Sequence, residues 1–247
     1  MFPIRDHNPS GSTPYVTYLL IAANIGAFLL YFERLYSGDG LMNFWLDYAL
    51  VPRNITNGHS ALGFFTHMFL HGGIMHLVGN MLFLFIFGDN IEHEMGPVGF
   101  TFLYFASGLG AALLQYMAAP FSTIPMVGAS GAVAGVMGAY LLMFPRARID
   151  VIVIIVIIFK RLNLPAWAML IFWFGLQLWG SWSTPADIGG TAYWAHIGGF
   201  VVGLVLAIPL WISRGGPRYW RITDGHPPHP EGEFWSGSTD VPKVPRK

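Results

Sequence analysis

Six long runs of apolar residues, separated by shorter polar stretches, constrain the fold of this 247-residue chain more than any other feature. They cover residues 15–32, 73–88, 98–118, 130–144, 165–182 and 191–212. A helix needs about 20 such residues to cross the apolar core of a bilayer. Charged residues make up only 11% of the chain, well below the ~25% typical of soluble domains. We therefore predict an all-α membrane protein, a bundle of six transmembrane helices with a short, buried fourth helix.

The positions of the basic residues predict an orientation for this bundle. With the N-terminus inside and six spans, only Arg34 and Arg53 of the 13 Lys and Arg residues fall outside. Such a positive-inside bias supports six spans and places both termini in the cytoplasm. We expect a cytoplasmic N-terminus over residues 1–14 and a six-span domain over 15–213. Residues 214–247 are rich in Pro, Gly and Ser, which predicts a disordered cytoplasmic tail.

A further apolar run, VIVIIVIIF at residues 151–159, is only nine residues long and mostly β-branched. It is too short to span a bilayer as a helix, and we expect a re-entrant or interfacial segment.

Composition excludes several kinds of function. The absence of cysteine rules out a disulfide scaffold, a Cys-ligated zinc site, an iron–sulfur cluster and a thiol nucleophile. The formal net charge of zero gives no support for nucleic-acid binding. His71 and His76 are five residues apart, about 140° around a helix, so a regular helix would not bring both onto one metal ion. We expect no metal and no cofactor.

Polar residues within apolar spans are costly and are therefore candidates for function. Ser130 lies in VGASGAVAGVMG at the start of the fourth span, where it is either an ordinary helix N-cap or a nucleophile beside free N–H groups. His196 lies in YWAHIGGFVVGLV on the sixth span. Both motifs carry glycines at G-x-x-x-G spacing, which lets two membrane helices pack closely. That packing would bring Ser130 and His196 together as a nucleophile and base, a dyad without an acidic third member.

Two further polar residues follow one face of the second span. His76 and Asn80 are four apart, and both can donate hydrogen bonds to an oxyanion. For His71 the favoured interpretation is a polar network that holds this span to the external loop. Gln115 and Gln177 also lie in spans, and interhelical hydrogen bonding accounts for them adequately.

Three motifs occur in order on the second, fourth and sixth spans: HGGIMHLVGN, VGASGAVAGVMG and AHIGGFVVG. Together they resemble the rhomboid family of intramembrane serine proteases over residues 15–212. The resemblance implies that Ser130 is the nucleophile, that His196 is the general base, and that His76, Asn80 and the Ser130 N–H form the oxyanion hole. Gly128, Gly131, Gly199, Gly203 and His71 are implied as supporting residues. Glu92 and Gly96 resemble the family's turn after the second span.

Two positions depart from the pattern of some family members. These members carry Trp-Arg in the first external loop, where this chain has Leu62 and Gly63, and a Tyr where it has Ala134. We therefore expect a differently anchored loop and a less constrained His196.

The family also implies transmembrane protein substrates within the lipid bilayer, a small residue before the cleaved bond, and lateral entry beside the fifth span. A compact six-span chain resembles the bacterial inner-membrane members. The alternatives are a catalytically silent binding or quality-control protein of the same fold, a small transporter, and a metal or haem protein.

Overall fold

Helices account for most of the chain that the structure, a computed structural model, describes: residues 2–8, 10–38, 40–59, 61–155 and 158–228. In chain order the elements are β1 (Phe2–Asp6), α1 (Tyr15–Ser37), α2 (Leu41–Tyr48), α3 (Pro52–Thr56), α4 (Gly63–Thr66), a 3-10 turn (His67–Phe69), α5 (Ile74–Ala118), α6 (Ser130–Met143), β2 (Arg148–Ile155), β3 (Ile158–Pro165), α7 (Ala166–Ser183), α8 (Tyr193–Ser213) and α9 (Pro217–Thr223). The six long apolar runs therefore correspond to helical segments that begin within about two residues of the predicted starts, although α1 continues to Ser37, five residues past its predicted end.

Three helices of the described chain, α1, α5 and α8, are long and apolar enough to cross a membrane. The 45-residue α5 is interrupted at Gly96, which has φ 70° and ψ 166° and is followed by Pro97. Its two arms, residues 74–95 and 97–118, correspond to the second and third apolar runs. Asn80 of the first arm and Gln115 of the second line the same cavity, so the second arm runs back along the first. The chain is an integral membrane protein.

Helix α6 lies at the centre, packed between α5 and α8, and nearly all of its residues are buried. Glycines set its distance from α8. A Cβ on Gly199 would overlap the carbonyl oxygen of Gly131, and one on Gly203 would overlap that of Gly135. The two G-x-x-x-G faces therefore bring the backbones into direct contact, as the sequence predicted.

A three-stranded antiparallel sheet corrects the prediction of an all-α fold and of a re-entrant segment at residues 151–159. β2 pairs with β3 from Arg148↔Pro165 to Ile155↔Ile158, and β1 pairs with β2. A β-hairpin satisfies the backbone groups of a run that is too short to span as a helix, and it suits β-branched residues. Asp150 of β2 holds the sheet together by contacting Arg161 at 2.5 Å and His7 at 3.0 Å.

The N-terminus of α1 is capped by a residue of α5. Pro14 precedes α1 and offers no side-chain cap. Instead, the buried carboxylate of Glu92 accepts hydrogen bonds from the N–H of Val16, the N–H of Thr17 and the Thr17 hydroxyl, each at 2.8 Å. Glu92 thereby satisfies amide groups that have no partner within the helix.

The same end of the molecule contains a buried carboxyl group on β1. Asp6 accepts hydrogen bonds from the Tyr140 hydroxyl of α6 at 3.0 Å and from Asn90 Nδ2 of α5 at 2.8 Å. Burial, and secondly repulsion from Asp89, raise the pKa of Asp6 to about 7. The N-terminal strand is therefore fastened to the central helix by a group that titrates near neutral pH.

The segment after α8 is partly ordered, which corrects the expected disorder from residue 214 onward. Helix α9 packs back on the bundle: Trp220 Nε1 donates to the Leu142 carbonyl at 2.8 Å, and its ring lies 4.8 Å from that of Trp211. The Gly225 carbonyl then accepts from Arg146 N–H at 2.9 Å. Residues 229–247, which include His229, lie outside the described residues.

Candidate active site

Ser130 and His196 meet where α6 begins. Ser130 is the first residue of α6, and its Oγ lies 2.9 Å from His196 Nε2. The residue at the N-cap position is Ala129, so Ser130 is not the cap that one reading of the sequence expected. Its hydroxyl is directed to the histidine, while its N–H belongs to the first helical turn, where amide groups have no intrahelical acceptor.

Gly128 determines the approach of the chain to Ser130. Its φ of 129° favours glycine, and a Cβ there would lie 2.8 Å from His76 Nε2. The Gly128 N–H donates to the His67 carbonyl at 2.9 Å, which ties this loop to the segment before α5. A side chain at this position would therefore both strain the backbone and displace His76.

His76 and Asn80 direct hydrogen-bond donors toward the same region. The Gly72 N–H donates to His76 Nδ1 at 3.4 Å, so the neutral imidazole carries its proton on Nε2, the atom next to Gly128. Asn80 is 8% exposed, and none of the described residues accepts a hydrogen bond from its Nδ2. Both side chains line the cavity that contains Ser130. Two donors are thus available beside the hydroxyl.

The structure gives Gln177 a contact that the sequence did not reveal. Its Oε1 lies 2.8 Å from His196 Nδ1, and its Nε2 donates to the Trp173 carbonyl at 3.2 Å. The Trp173 ring lies 5.7 Å from the imidazole. Two residues of α7 therefore constrain His196, although Ala134 takes the place of the expected Tyr. A polar residue within an apolar span was the available signal, but its partner depends on how α7 is rotated against α8.

His71 lies beside this site without contacting Ser130. The His71 ring packs edge-on against that of His76, with 5.1 Å between the ring centroids. The backbone N–H of His71 donates to the Tyr31 hydroxyl at 2.5 Å. Burial, with a smaller contribution from His76, lowers the pKa of His71 to about 3, so the ring is neutral at physiological pH. The Tyr31 contact joins this segment to α1, whereas the polar network to the external loop that the sequence predicts for His71 stays a prediction.

The first loop makes a close backbone contact at Gly63, one of the two positions that depart from the family pattern. Gly63, next to Leu62, is buried, and a Cβ there would overlap the Ala49 carbonyl oxygen. The Thr66 hydroxyl donates to the Tyr48 carbonyl at 2.5 Å. These close contacts hold the loop at Gly63 and Thr66, while the Leu62 side chain is exposed.

A cavity of about 540 Å³ opens above the Ser130 hydroxyl. Its walls come from α5, α7, α8 and the loops at residues 119–129 and 184–192. Met75, Phe83, Val133 and Trp173 provide apolar lining, and His76, Asn80 and Gln115 provide polar groups. A mostly apolar lining with a few convergent polar groups is typical of ligand-binding and active-site cavities.

The family model and the similar proteins that match this chain all point to the same family. A family model described as "Rhomboid domain" matches residues 58–213. RHOMBOID-like protein 12, mitochondrial, of Arabidopsis thaliana is 29% identical over 206 residues, which cover 75% of this chain and 55% of the relative. Rhomboid protein 1, mitochondrial, of Saccharomyces cerevisiae is 27% identical over 195 residues, which cover 77% and 51%. RHOMBOID-like protein 6, mitochondrial, of A. thaliana is 39% identical over 93 residues, covering 38% and 30%.

The chain thus spans between about a third and about half of the length of these relatives. Their names refer to mitochondria, so they do not support the expected bacterial inner membrane. The family match covers more than half of the chain and contains Ser130, His196, His76 and Asn80, and the chain therefore belongs to the rhomboid family.

Proposed function

We propose that the chain is an intramembrane serine endopeptidase, in which Ser130 is the nucleophile and His196 the general base. The observation that carries this proposal is the 2.9 Å contact between Ser130 Oγ and His196 Nε2 at the floor of a cavity lined by His76 and Asn80. A nucleophile, a base within hydrogen-bond reach and adjacent oxyanion donors are the groups that acyl transfer requires.

We propose six spans: α1, the two arms of α5, α6, α7 and α8. The end of the bundle that carries the three-stranded sheet and α9 faces the cytoplasm. It carries Arg5, Arg146, Arg148, Lys160, Arg161, Arg214, Arg218 and Arg221. α6 has 14 residues and is therefore about 21 Å long. Since a bilayer core is about 30 Å thick, Ser130 lies below the outer interface, where a cavity open to the outside supplies water.

The reaction follows from these positions. Ser130 Oγ attacks the carbonyl carbon of a peptide bond near the outer end of a substrate helix, and its proton passes to His196 Nε2. The resulting oxyanion accepts hydrogen bonds from His76 Nε2–H, Asn80 Nδ2–H and the Ser130 N–H. His196 returns the proton to the leaving nitrogen as the C–N bond breaks, which leaves an acyl-enzyme. Water, activated by the same histidine, then hydrolyses the ester.

Substrates must unwind to reach the hydroxyl, because an intact helix engages its carbonyl groups in i→i−4 hydrogen bonds. Transmembrane segments that contain Gly or Pro near their outer end are therefore the expected substrates. The family resemblance implies that the substrate has a small residue before the cleaved bond. It also implies that the substrate enters the site laterally beside α7, which carries Phe172, Trp173 and Phe174.

Labelling of detergent-purified protein with a fluorescent fluorophosphonate tests the proposal. We expect label on the wild type and none on Ser130→Ala or His196→Ala. Ser181→Ala and His59→Ala remove an exposed hydroxyl and an exposed imidazole elsewhere, and both should retain the label. Cleavage of a model transmembrane substrate, with product identified by mass spectrometry, completes the test. A folded wild type that neither labels nor cleaves would favour the catalytically silent protein of the same fold.

A further inference from the structure

The orientation of the Gln177 amide determines where the proton of His196 resides. Gln177 Nε2 donates to the Trp173 carbonyl at 3.2 Å, and a carbonyl oxygen can only accept. The amide oxygen is therefore the atom that faces His196, at 2.8 Å from Nδ1. An oxygen at this distance requires a hydrogen on Nδ1.

The tautomer at Nδ1 decides the role of the other ring nitrogen. With the proton on Nδ1, Nε2 has a free lone pair, and Ser130 Oγ at 2.9 Å donates its hydrogen to it. If the amide were reversed, its NH₂ group would face Nδ1 and the proton would move to Nε2. Ser130 would then accept a hydrogen bond, and His196 could not remove its proton.

Gln177 and Ser130 are the two hydrogen-bond partners that the structure gives to the His196 ring within its described residues. Gln177 is 6% exposed, so water does not readily replace its oxygen. Its helix, α7, is otherwise rich in exposed side chains such as Leu178 and Trp182. The inward direction of this one amide is therefore a specific feature of α7.

We propose that Gln177 is a positioning residue for the Ser130–His196 pair: its amide oxygen holds the Nδ1–H tautomer and fixes the plane of the ring. The inference rests on the proposed function. When Nε2 takes the Ser130 proton, His196 becomes an imidazolium, and the Gln177 amide oxygen faces its positive charge. This neutral oxygen stabilises the imidazolium less than a carboxylate would. The proton then leaves from Nε2 to the departing amine, and Nδ1–H stays bound to Gln177 throughout.

Two substitutions of similar size separate the hydrogen bond from packing. Gln177→Met keeps the volume and removes the acceptor, and we expect kcat to fall about 10- to 100-fold with little change in KM. Gln177→Glu keeps the acceptor and adds charge. It should restore most of kcat relative to Gln177→Met and shift the acidic limb of the kcat/KM profile to higher pH. Leu178→Met, on the exposed side of the same helix, is the matched control and should behave as wild type.

The state of the ring can be measured without activity. Nitrogen-15 NMR of the histidine side chains, assigned by loss of one signal in His196→Ala, should show the Nδ1–H tautomer in the wild type and a mixture in Gln177→Met. Unchanged kcat, pH profile and tautomer in Gln177→Met would refute the role of Gln177. A wild type that shows the Nδ1–H tautomer but cleaves no substrate would instead refute the proposed function.

Discussion

Gly199→Ala offers a direct test of how closely α6 and α8 must pack for the site to form. The added Cβ would overlap the Gly131 carbonyl oxygen. Because the opposing atom belongs to backbone, no side chain can move aside to make room. The two helices would have to separate instead, and His196, one turn before Gly199 on α8, would move with its helix.

The expected size of the effect follows from the contact distances. Non-bonded heavy atoms settle about 3.5 Å apart, so the separation amounts to about 1 Å or more. The distance from Ser130 Oγ to His196 Nε2, now 2.9 Å, would then exceed hydrogen-bond range. A misplacement of this size costs about 100-fold in rate. Overpacking of this kind destabilises the fold by about 1–3 kcal/mol.

Cleavage of a model substrate in proteoliposomes and thermal unfolding in detergent measure the two effects separately. Gly26→Ala is the control, since its Cβ on α1 would meet no described atom within 4 Å. We expect Gly26→Ala to match wild type in both assays. Equal cleavage rates for Gly199→Ala and Gly26→Ala would refute the argument that backbone contact between the helices positions the two side chains.

Three other outcomes are expected. Gly128→Ala should cost about 1–3 kcal/mol of strain at φ 129° and slow fluorophosphonate labelling at least 10-fold by displacing His76, whereas equal labelling would contradict this. Asp6 has a pKa of about 7 in the folded chain against an ordinary value of 3.8, so the folded chain binds more protons between about pH 4 and 7 and its stability falls as pH rises across that range. Asp6→Asn should flatten that dependence in thermal unfolding between pH 4 and 8; an unchanged slope would exclude Asp6 as its origin. Asp224→Asn removes an exposed ion pair with Arg146 and should change the free energy of unfolding by less than about 1 kcal/mol, measured by the same method.

The helices were predictable because long apolar runs stand out from the polar stretches that separate them. The turn between the arms of α5 was also indicated, by Glu92 and Gly96. Ser130 and His196 were predictable as a pair because glycines recur at helical spacing beside each of them. These features depend on residues that are close in sequence, where periodicity carries the information.

The remaining features depend on contacts between distant segments. β1 pairs with β2 across about 145 residues, and its sequence FPIRD is only five residues long and contains Pro3, which argues against a strand. The partner of Gln177 depends on the rotation of α7 about its axis, which a pattern along one helix does not determine. The N-cap at Ala129 rather than Ser130 depends on backbone angles that two neighbouring small residues can adopt equally well.

The cap on α1 has a consequence for the order in which the molecule is assembled. The donors at the start of α1 receive their acceptor from Glu92, 75 or 76 positions later in the chain. A chain inserted from its N-terminus therefore carries α1 with an unfinished first turn until the following helix has been synthesised and placed. The first turn of α1 is complete only once the first arm of α5 is packed beside it with the Glu92 carboxylate next to Val16 and Thr17. A nascent chain that ends before residue 92 lacks this acceptor, so water must satisfy the two amide groups until Glu92 is in place.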